Sequence, residues 1–362
     1  MNYIRGFDGL RALSIIMVIN THLGFLDNIS DSNLSLRLSM LCSGTTGVSI
    51  FFVLSGFLIT RILLKEKLST GKISFRNFYI RRFLRLLPPL IVFYVALVFL
   101  MSFGFIEPQW IGLTMSVFYL YNFVPHRYYS GELGPMWSLA VEEQYYIFWP
   151  FVVAFIRKYI PYFVIVVLIL CVLVKIYLPL LSIHHNGKVY PLVTYSFLDR
   201  WFLPAVAPIM IGAAFSYLEF NREEEFRKLF AGRYLFLAIA FGLFLLPAYM
   251  PMQFFGIGYE ILLLQMCGVV VLLIWVLFNQ KSLLTRFLEL KPIAYTGKIS
   301  YGLYVYHALF IRTGRGDLFI QKYPLNIFLT VSVAILSYEF YEKKILKIKK
   351  KFSPVSYKGS IA

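Results

Sequence analysis

Charged residues are what this 362-residue sequence has least of, at 15% against the ~25% of soluble domains. That scarcity, beside 59% hydrophobic residues, excludes an ordinary water-soluble domain. Cysteine is scarce too. Cys42, Cys171 and Cys267 are odd in number and far apart, which excludes a disulfide framework and a metal knuckle and leaves them as packing residues. Acidic residues number 18 against 35 Lys plus Arg, a net +17 that in a soluble protein would raise the question of nucleic acid. Here orientation in a membrane accounts for the excess, and no nucleic-acid partner is expected. There is no repeat at solenoid spacing, no low-complexity linker and no second domain. A cleaved signal peptide is not expected either, because Asp8 and Arg11 interrupt the first apolar stretch and no small-residue cleavage pattern follows it.

What is present is a series of long apolar runs, such as 91–101, 162–173 and 261–278, most of them bounded by Lys, Arg, Pro, Trp or Tyr. Hydropathy marks eleven candidate segments: 8–27, 44–64, 83–103, 109–124, 137–156, 161–180, 202–218, 234–250, 258–279, 296–312 and 325–341. Each approaches the ~20 residues a spanning helix needs. The weakest is 109–124, short and carrying Gln109, Thr114, Ser116 and Asn122. If it does not cross, twenty-three basic residues fall on inner connections and seven on outer ones, as the positive-inside rule requires. If it crosses, Arg157, Lys158, the 222–233 cluster and the lysine-rich tail are forced outside. The expected fold is therefore all-α: a polytopic membrane helix bundle of about ten spans, with 109–124 re-entrant or interfacial and both termini cytoplasmic. Residues 1–342 form the transmembrane domain, and 343–362 a basic cytoplasmic tail, expected to be disordered near anionic headgroups.

Polar residues inside such helices carry the functional argument, because a charge at membrane depth costs ~2.5–3.5 kcal/mol on insertion scales. The first helix holds Asp8, Arg11 and His22 in FDGLRALSIIMVINTH. Eleven residues at ~100° each return to within ~20° of the starting direction, so Arg11 and His22 share a stripe, ~16 Å apart. Arg11 also fits a snorkelling anchor. In FYIRRFLRLLPPL, Arg82 and Arg85 share a face at the inner mouth, where they suit bidentate phosphate binding and equally satisfy the topology rule.

Glu142 and Glu143 in MWSLAVEEQYYIFWP diverge by ~100°, so one is expected toward a cavity and one toward a basic or amide partner. His307 in GKISYGLYVYH lies nine residues beyond Lys298, and a packing histidine bonded to a carbonyl is its plain alternative. Rise arithmetic puts His22 and Glu143 ~20 Å from the inner surface and His307 ~14 Å, close enough to share a cavity. A histidine with a carboxylate is a general-base pair able to deprotonate a hydroxyl. A proton-coupled transporter of an anionic or glycan-related solute would use the same groups, so the chemistry alone leaves both open.

These motifs, with FFVLSGFLITRILL between the first two, occur in the order found in the acyltransferase 3 family of bacterial integral membrane O-acyltransferases, which the chain resembles from Phe7 to His307. The resemblance implies transfer of an acyl group, commonly acetyl, from cytoplasmic acyl-CoA to a hydroxyl of a cell-surface glycan or lipid-linked saccharide. A lipopolysaccharide or exopolysaccharide acceptor and a multi-pass inner-membrane location are the expectation. Carried over residue by residue, the family's roles fall on Arg11 and His22, on Arg82 and Arg85 and on Glu142 and Glu143. The catalytic residues expected on this basis are His22, Glu143 and His307, with His22 as general base or transient acyl carrier, oriented by Glu143 or helped by His307. Arg11, Arg82 and Arg85 are the expected acyl-CoA ligands, with Asp8, Glu142, Ser138 and Tyr301 in support. No metal and no permanently bound cofactor are expected, acyl-CoA being a co-substrate. The expected partners are membrane lipid, the saccharide acceptor and other envelope-glycan assembly proteins. Some relatives carry a C-terminal extracytoplasmic hydrolase-like domain, and this chain ends in a lysine-rich tail, so transfer is expected in the membrane domain itself or on a separate partner.

Overall fold

The computed structural model describes residues 3–26, 29, 32–178, 182–185, 188–191, 198–249, 258–311 and 319–352. Expectations for 251–257, for Arg312 and Arg315 and for the tail beyond residue 352 lie outside the described residues. The described residues are helical almost throughout, as expected, and a short antiparallel hairpin among them pairs Ser182–His185 with Lys188–Pro191. β-Branched Ile183 and Val189 stand in its two strands.

Local chemistry sets the helix boundaries. Helix α1 (Phe7–Leu23) follows Gly6 at φ 91° and stops at Gly24 at φ 67°, whose N–H donates to the Thr21 carbonyl. After α2 (Ser32–Cys42), Ser43 caps α3 (Gly44–Thr70) by accepting from the Thr46 N–H, and Ser74 caps α4 (Phe75–Ser102) through the Asn77 N–H. The chain continues through α5 (Trp110–Val117), α6 (Met136–Phe155), α7 (Ile160–Tyr177), α8 (Ala207–Asn221), α9 (Glu223–Phe230), α10 (Tyr234–Tyr249) and α11 (Gly258–Phe278). It ends with α12 (Lys291–Lys298), α13 (Ser300–Ile311), α14 (Leu325–Leu336), a π-helical turn at Ser337–Glu342 and α15 (Lys343–Lys349). The first ten residues of the expected disordered tail are thus helical, because α15 packs along α4.

Among the described residues, Asn33–Thr70, Phe75–Ser102 and Arg157–Tyr177 are each long and apolar enough to cross a membrane, as is the pair Glu223–Phe230 and Tyr234–Tyr249, bent by 89°. The outward faces of α4 and α7 carry apolar side chains left exposed among the described residues, such as Phe99 at 53% and Ile169 at 53% exposure. Such faces suit lipid and not water. In 109–124 the helix is only eight residues, a rise of ~12 Å against the ~30 Å of a hydrocarbon core. Polar side chains hold this segment down: Gln109 donates to Glu132 at 3.0 Å, and the amides of Asn122 and Gln144 bond each other reciprocally at 3.2 and 3.0 Å.

Two apolar clusters form the interior. One joins α4, α6 and α13 through Phe93, Trp149 and Tyr306, and the other joins α1, α3 and α11 through Phe7, Phe57 and Trp275. Helices α3 and α8 meet backbone to backbone. A Cβ at Gly56 would lie 2.0 Å from the Ile209 carbonyl oxygen, and one at Gly212 would lie 2.2 Å from that of Val53. Small residues permit this approach where the hydrophobic effect offers little drive between helices. Arg61 of α3 and Glu219 of α8, both buried, form an ion pair along the same contact.

Candidate active site

Helix α1 contributes Arg11 and His22, and its position depends on α12, where the Asp8 carbonyl occupies the space a Cβ at Gly297 would need. Asp8 holds Arg11 in an ion pair of 2.7 Å one turn along the helix, and its second carboxylate oxygen accepts from the Tyr3 hydroxyl at 3.1 Å. Arg11 therefore enters the interior already directed.

A cavity opens between α1, α3, α4, α6 and α13. Arg11, Arg82, Arg85, Glu142, Ser138 and Tyr301 all line it, and so do Ser55, Tyr146, Tyr304 and Lys349. Among these arginines, Arg82 sits against aromatic rings. Arg82 lies 4.8 Å over the Tyr146 ring and 5.8 Å from that of Phe78, and Arg85 precedes the Pro88–Pro89 pair within α4. Near those prolines the Leu86 carbonyl accepts the Tyr301 hydroxyl at 3.1 Å. The neighbouring Arg81 points elsewhere, pairing with Glu66 at 3.0 Å, since adjacent helical positions diverge by ~100°.

The two acidic residues part in the same way. Glu142 faces the cavity, its Oε1 accepting from the hydroxyls of Ser55 and Tyr146. Glu143 turns its Oε1 into a buried position where it meets no hydrogen-bond partner among the described residues.

His22 and His307 meet. His22 Nδ1 lies 3.0 Å from His307 Nε2, with ring planes 11° apart and centroids separated by 4.9 Å. His307 is fully buried, and its Nδ1 lies 2.6 Å from the Tyr304 carbonyl. A carbonyl carries no proton, so His307 Nδ1 donates and, in the neutral ring, Nε2 is left to accept. His22 must then donate from Nδ1, which puts the lone pair of its neutral ring on Nε2. Of the two groups expected from sequence to assist His22, Glu143 and His307, it is His307 that the structure brings to it. The helix that buries His307 also supplies Tyr304, whose hydroxyl bonds Ser138 at 2.5 Å on the cavity wall.

Sequence reasoning missed Tyr304, Ser55, Tyr146 and Lys349. Tyr146 stands four residues after Glu142 and Tyr304 three before His307, helical spacings that mark them as same-face neighbours. Ser55 and Lys349 carry no such local signal.

The profile of the acyltransferase 3 family, described as an acyltransferase domain, matches residues 4–338. Over 95% of its length the chain is 28% identical to O-acetyltransferase OatA of Staphylococcus aureus, covering 57% of that protein. It is 30% identical to peptidoglycan O-acetyltransferase OatA of Listeria monocytogenes, covering 56% of it, and 31% identical to putative peptidoglycan O-acetyltransferase YrhL of Bacillus subtilis, covering 55%. The chain thus spans little more than half the length of these relatives. No solved structure matches. The match across nearly all of the sequence, over helices built to lie in lipid, makes the chain a membrane protein of the acyltransferase 3 family.

Proposed function

We propose that the chain is a multi-pass inner-membrane O-acetyltransferase of about ten spans with cytoplasmic termini, moving acetyl from cytoplasmic acetyl-CoA to a saccharide hydroxyl outside. The observation that carries this reading is the chain from the Tyr304 carbonyl through His307 to His22, Tyr304 being also a wall of the cavity that holds Arg11, Arg82 and Arg85. His22, His307 and Glu143, expected from their depths to share a cavity, do not line this one. Family membership favours group transfer over proton-coupled transport. Relatives named for peptidoglycan make a peptidoglycan sugar the acceptor we propose, in place of lipopolysaccharide or exopolysaccharide.

In this reading Arg82 and Arg85, one turn apart, grip the donor phosphates in bidentate fashion, with Arg11 set by Asp8 further in. The pantetheine arm runs along the cavity toward His22. His22 Nε2 takes the acceptor hydroxyl proton as that oxygen attacks the thioester carbonyl. The carbon–sulfur bond breaks, the CoA thiolate leaves, and the proton held by His22 is passed on to it or to water. His307 stabilises the imidazolium by turning its lone pair to His22 Nδ1–H. Ser138, Tyr301 and Glu142 shape the wall along which the thioester lies, and Glu143 supports the packing behind it.

Labelled acetyl-CoA and a peptidoglycan acceptor, supplied to the purified protein in vesicles, test this reading. His22→Ala is expected to lower transfer by ~10²–10⁴-fold while inserting normally. Unchanged transfer by an inserted His22→Ala protein overturns the assignment.

A further inference from the structure

Four cationic side chains line the cavity, and three of them belong to the motifs of α1 and α4. The fourth, Lys349, is the last residue of α15, in a basic segment that simple membrane anchoring would otherwise explain. Its position is built. α15 packs along α4, and just beyond it the Phe352 carbonyl accepts from Arg81 Nη1 at 2.7 Å while Arg81 Nη2 holds Glu66. One helix thus presents Arg82 and Arg85 to the cavity and, from the intervening face, anchors the segment that brings Lys349 to them.

The charges there are only partly compensated, with Glu143 in electrostatic range of Arg82 and with Asp8 and Glu342 in range of Arg85. Arg11 has Asp8, but among the described residues no carboxylate forms an ion pair with Arg82, Arg85 or Lys349. Glu142 lines the same cavity and is already engaged by two hydroxyls. Like charges crowded into a poorly hydrated space repel strongly unless an anion of several charges lies among them.

We propose that Lys349 is a donor-specificity residue: it binds a phosphate monoester at the far end of a nucleotide-borne acyl carrier while Arg82 and Arg85 hold the inner pyrophosphate. This rests on the donor reading above. The thioester points inward to His22, so the end of the carrier most remote from it meets the cation contributed by the segment after the last helix of the bundle. For coenzyme A that remote group is the ribose 3′-phosphate. A lysine suits it, being a point charge that needs no planar partner. Burial, and after it the neighbouring Arg85, Arg82, Arg81 and Arg11, push the Lys349 ammonium well below the usual lysine range, and a phosphate beside it would act in the opposite sense.

The test compares CoA with 3′-dephospho-CoA binding to the purified full-length protein by calorimetry, and the turnover of both acetylated forms. Wild type is expected to bind CoA about tenfold more tightly than the dephospho form. Lys349→Gln loses that preference by weakening the binding of CoA and not that of the dephospho form, and Lys349→Arg restores most of it. Equal binding of the two carriers by wild type, or a preference that survives in Lys349→Gln, overturns the proposal. If wild type binds CoA with this preference but transfers no acetyl, the function proposed above fails while the phosphate site stands. If wild type binds neither carrier, both fall together.

Discussion

His22 and His307 stand 285 positions apart in the chain, and their ring nitrogens meet at 3.0 Å. The contact sets which nitrogen of His22 carries the proton, because His307 is itself committed to a main-chain carbonyl. His307→Ala is therefore expected to lower kcat by ~10–100-fold, on the scale of losing an orienting partner, with little change in the KM for the donor. His307→Gln, which still offers an acceptor to His22, should recover part of the loss. Equal rates for the two variants would remove the orienting role.

Tyr304 divides its duties between side chain and main chain. Its hydroxyl bonds Ser138 and its carbonyl holds His307. Tyr304→Phe deletes only the first, so the pH profile of kcat should keep the wild-type midpoint while the donor KM rises a few-fold. A displaced midpoint would mean that the hydroxyl takes part in setting the histidine pair.

Arg81 and Glu66 make a buried ion pair, with side-chain exposures of 9% and 3%. Removing one partner of such a pair strands the other charge, at a cost of ~3–5 kcal/mol. Arg81→Ala is expected to lower thermal stability in detergent more than the double replacement Arg81→Met with Glu66→Leu. Because Arg81 also holds the Phe352 carbonyl, proteolysis near residue 349 should quicken in both.

Donor binding should depend on pH through Lys349. Its free-state pKa is lowered, and a bound phosphate raises it, so binding takes up a proton. The contribution is complete below the free-state pKa and declines as pH climbs from there through the bound-state value. Arg81, Arg82 and Arg85 of α4, Arg11 of α1, Glu142 and Tyr146 of α6 and Tyr301 and Tyr304 of α13 stand around the same space. Calorimetry in two buffers of different ionisation enthalpy should report the proton uptake, and Lys349→Gln should abolish it.

Much of the site is legible in the motifs, since a charged residue in an apolar helix must meet something other than lipid. Period and rise gave Arg11, His22, Arg82 and Arg85 their faces and depths. Depth is only one coordinate, however. It placed His22 level with Glu143, while the direction of each side chain depends on neighbours from other helices: Ser55 of α3 draws Glu142 to the cavity, and α13 brings His307 to His22. Lys349 was hidden for a different reason. A lysine-rich run after the last apolar segment is already explained by membrane topology, so nothing in its spacing marks one lysine as turned inward.

The ion pair between Arg61 and Glu219 bears on how the protein is made. The partners are separated by four helices, α4 to α7, and at ~5–20 residues per second the ribosome takes on the order of ten seconds or more to deliver the second after the first. Throughout that interval Arg61 sits on a newly inserted α3 with its eventual counter-ion still unmade. Biogenesis therefore has to shelter α3 beside the insertion machinery, or let Arg61 reach the headgroups, until α8 arrives. Export yield should be more sensitive to Glu219→Ala than to the joint loss of both charges, even in cells where acetylation is never measured.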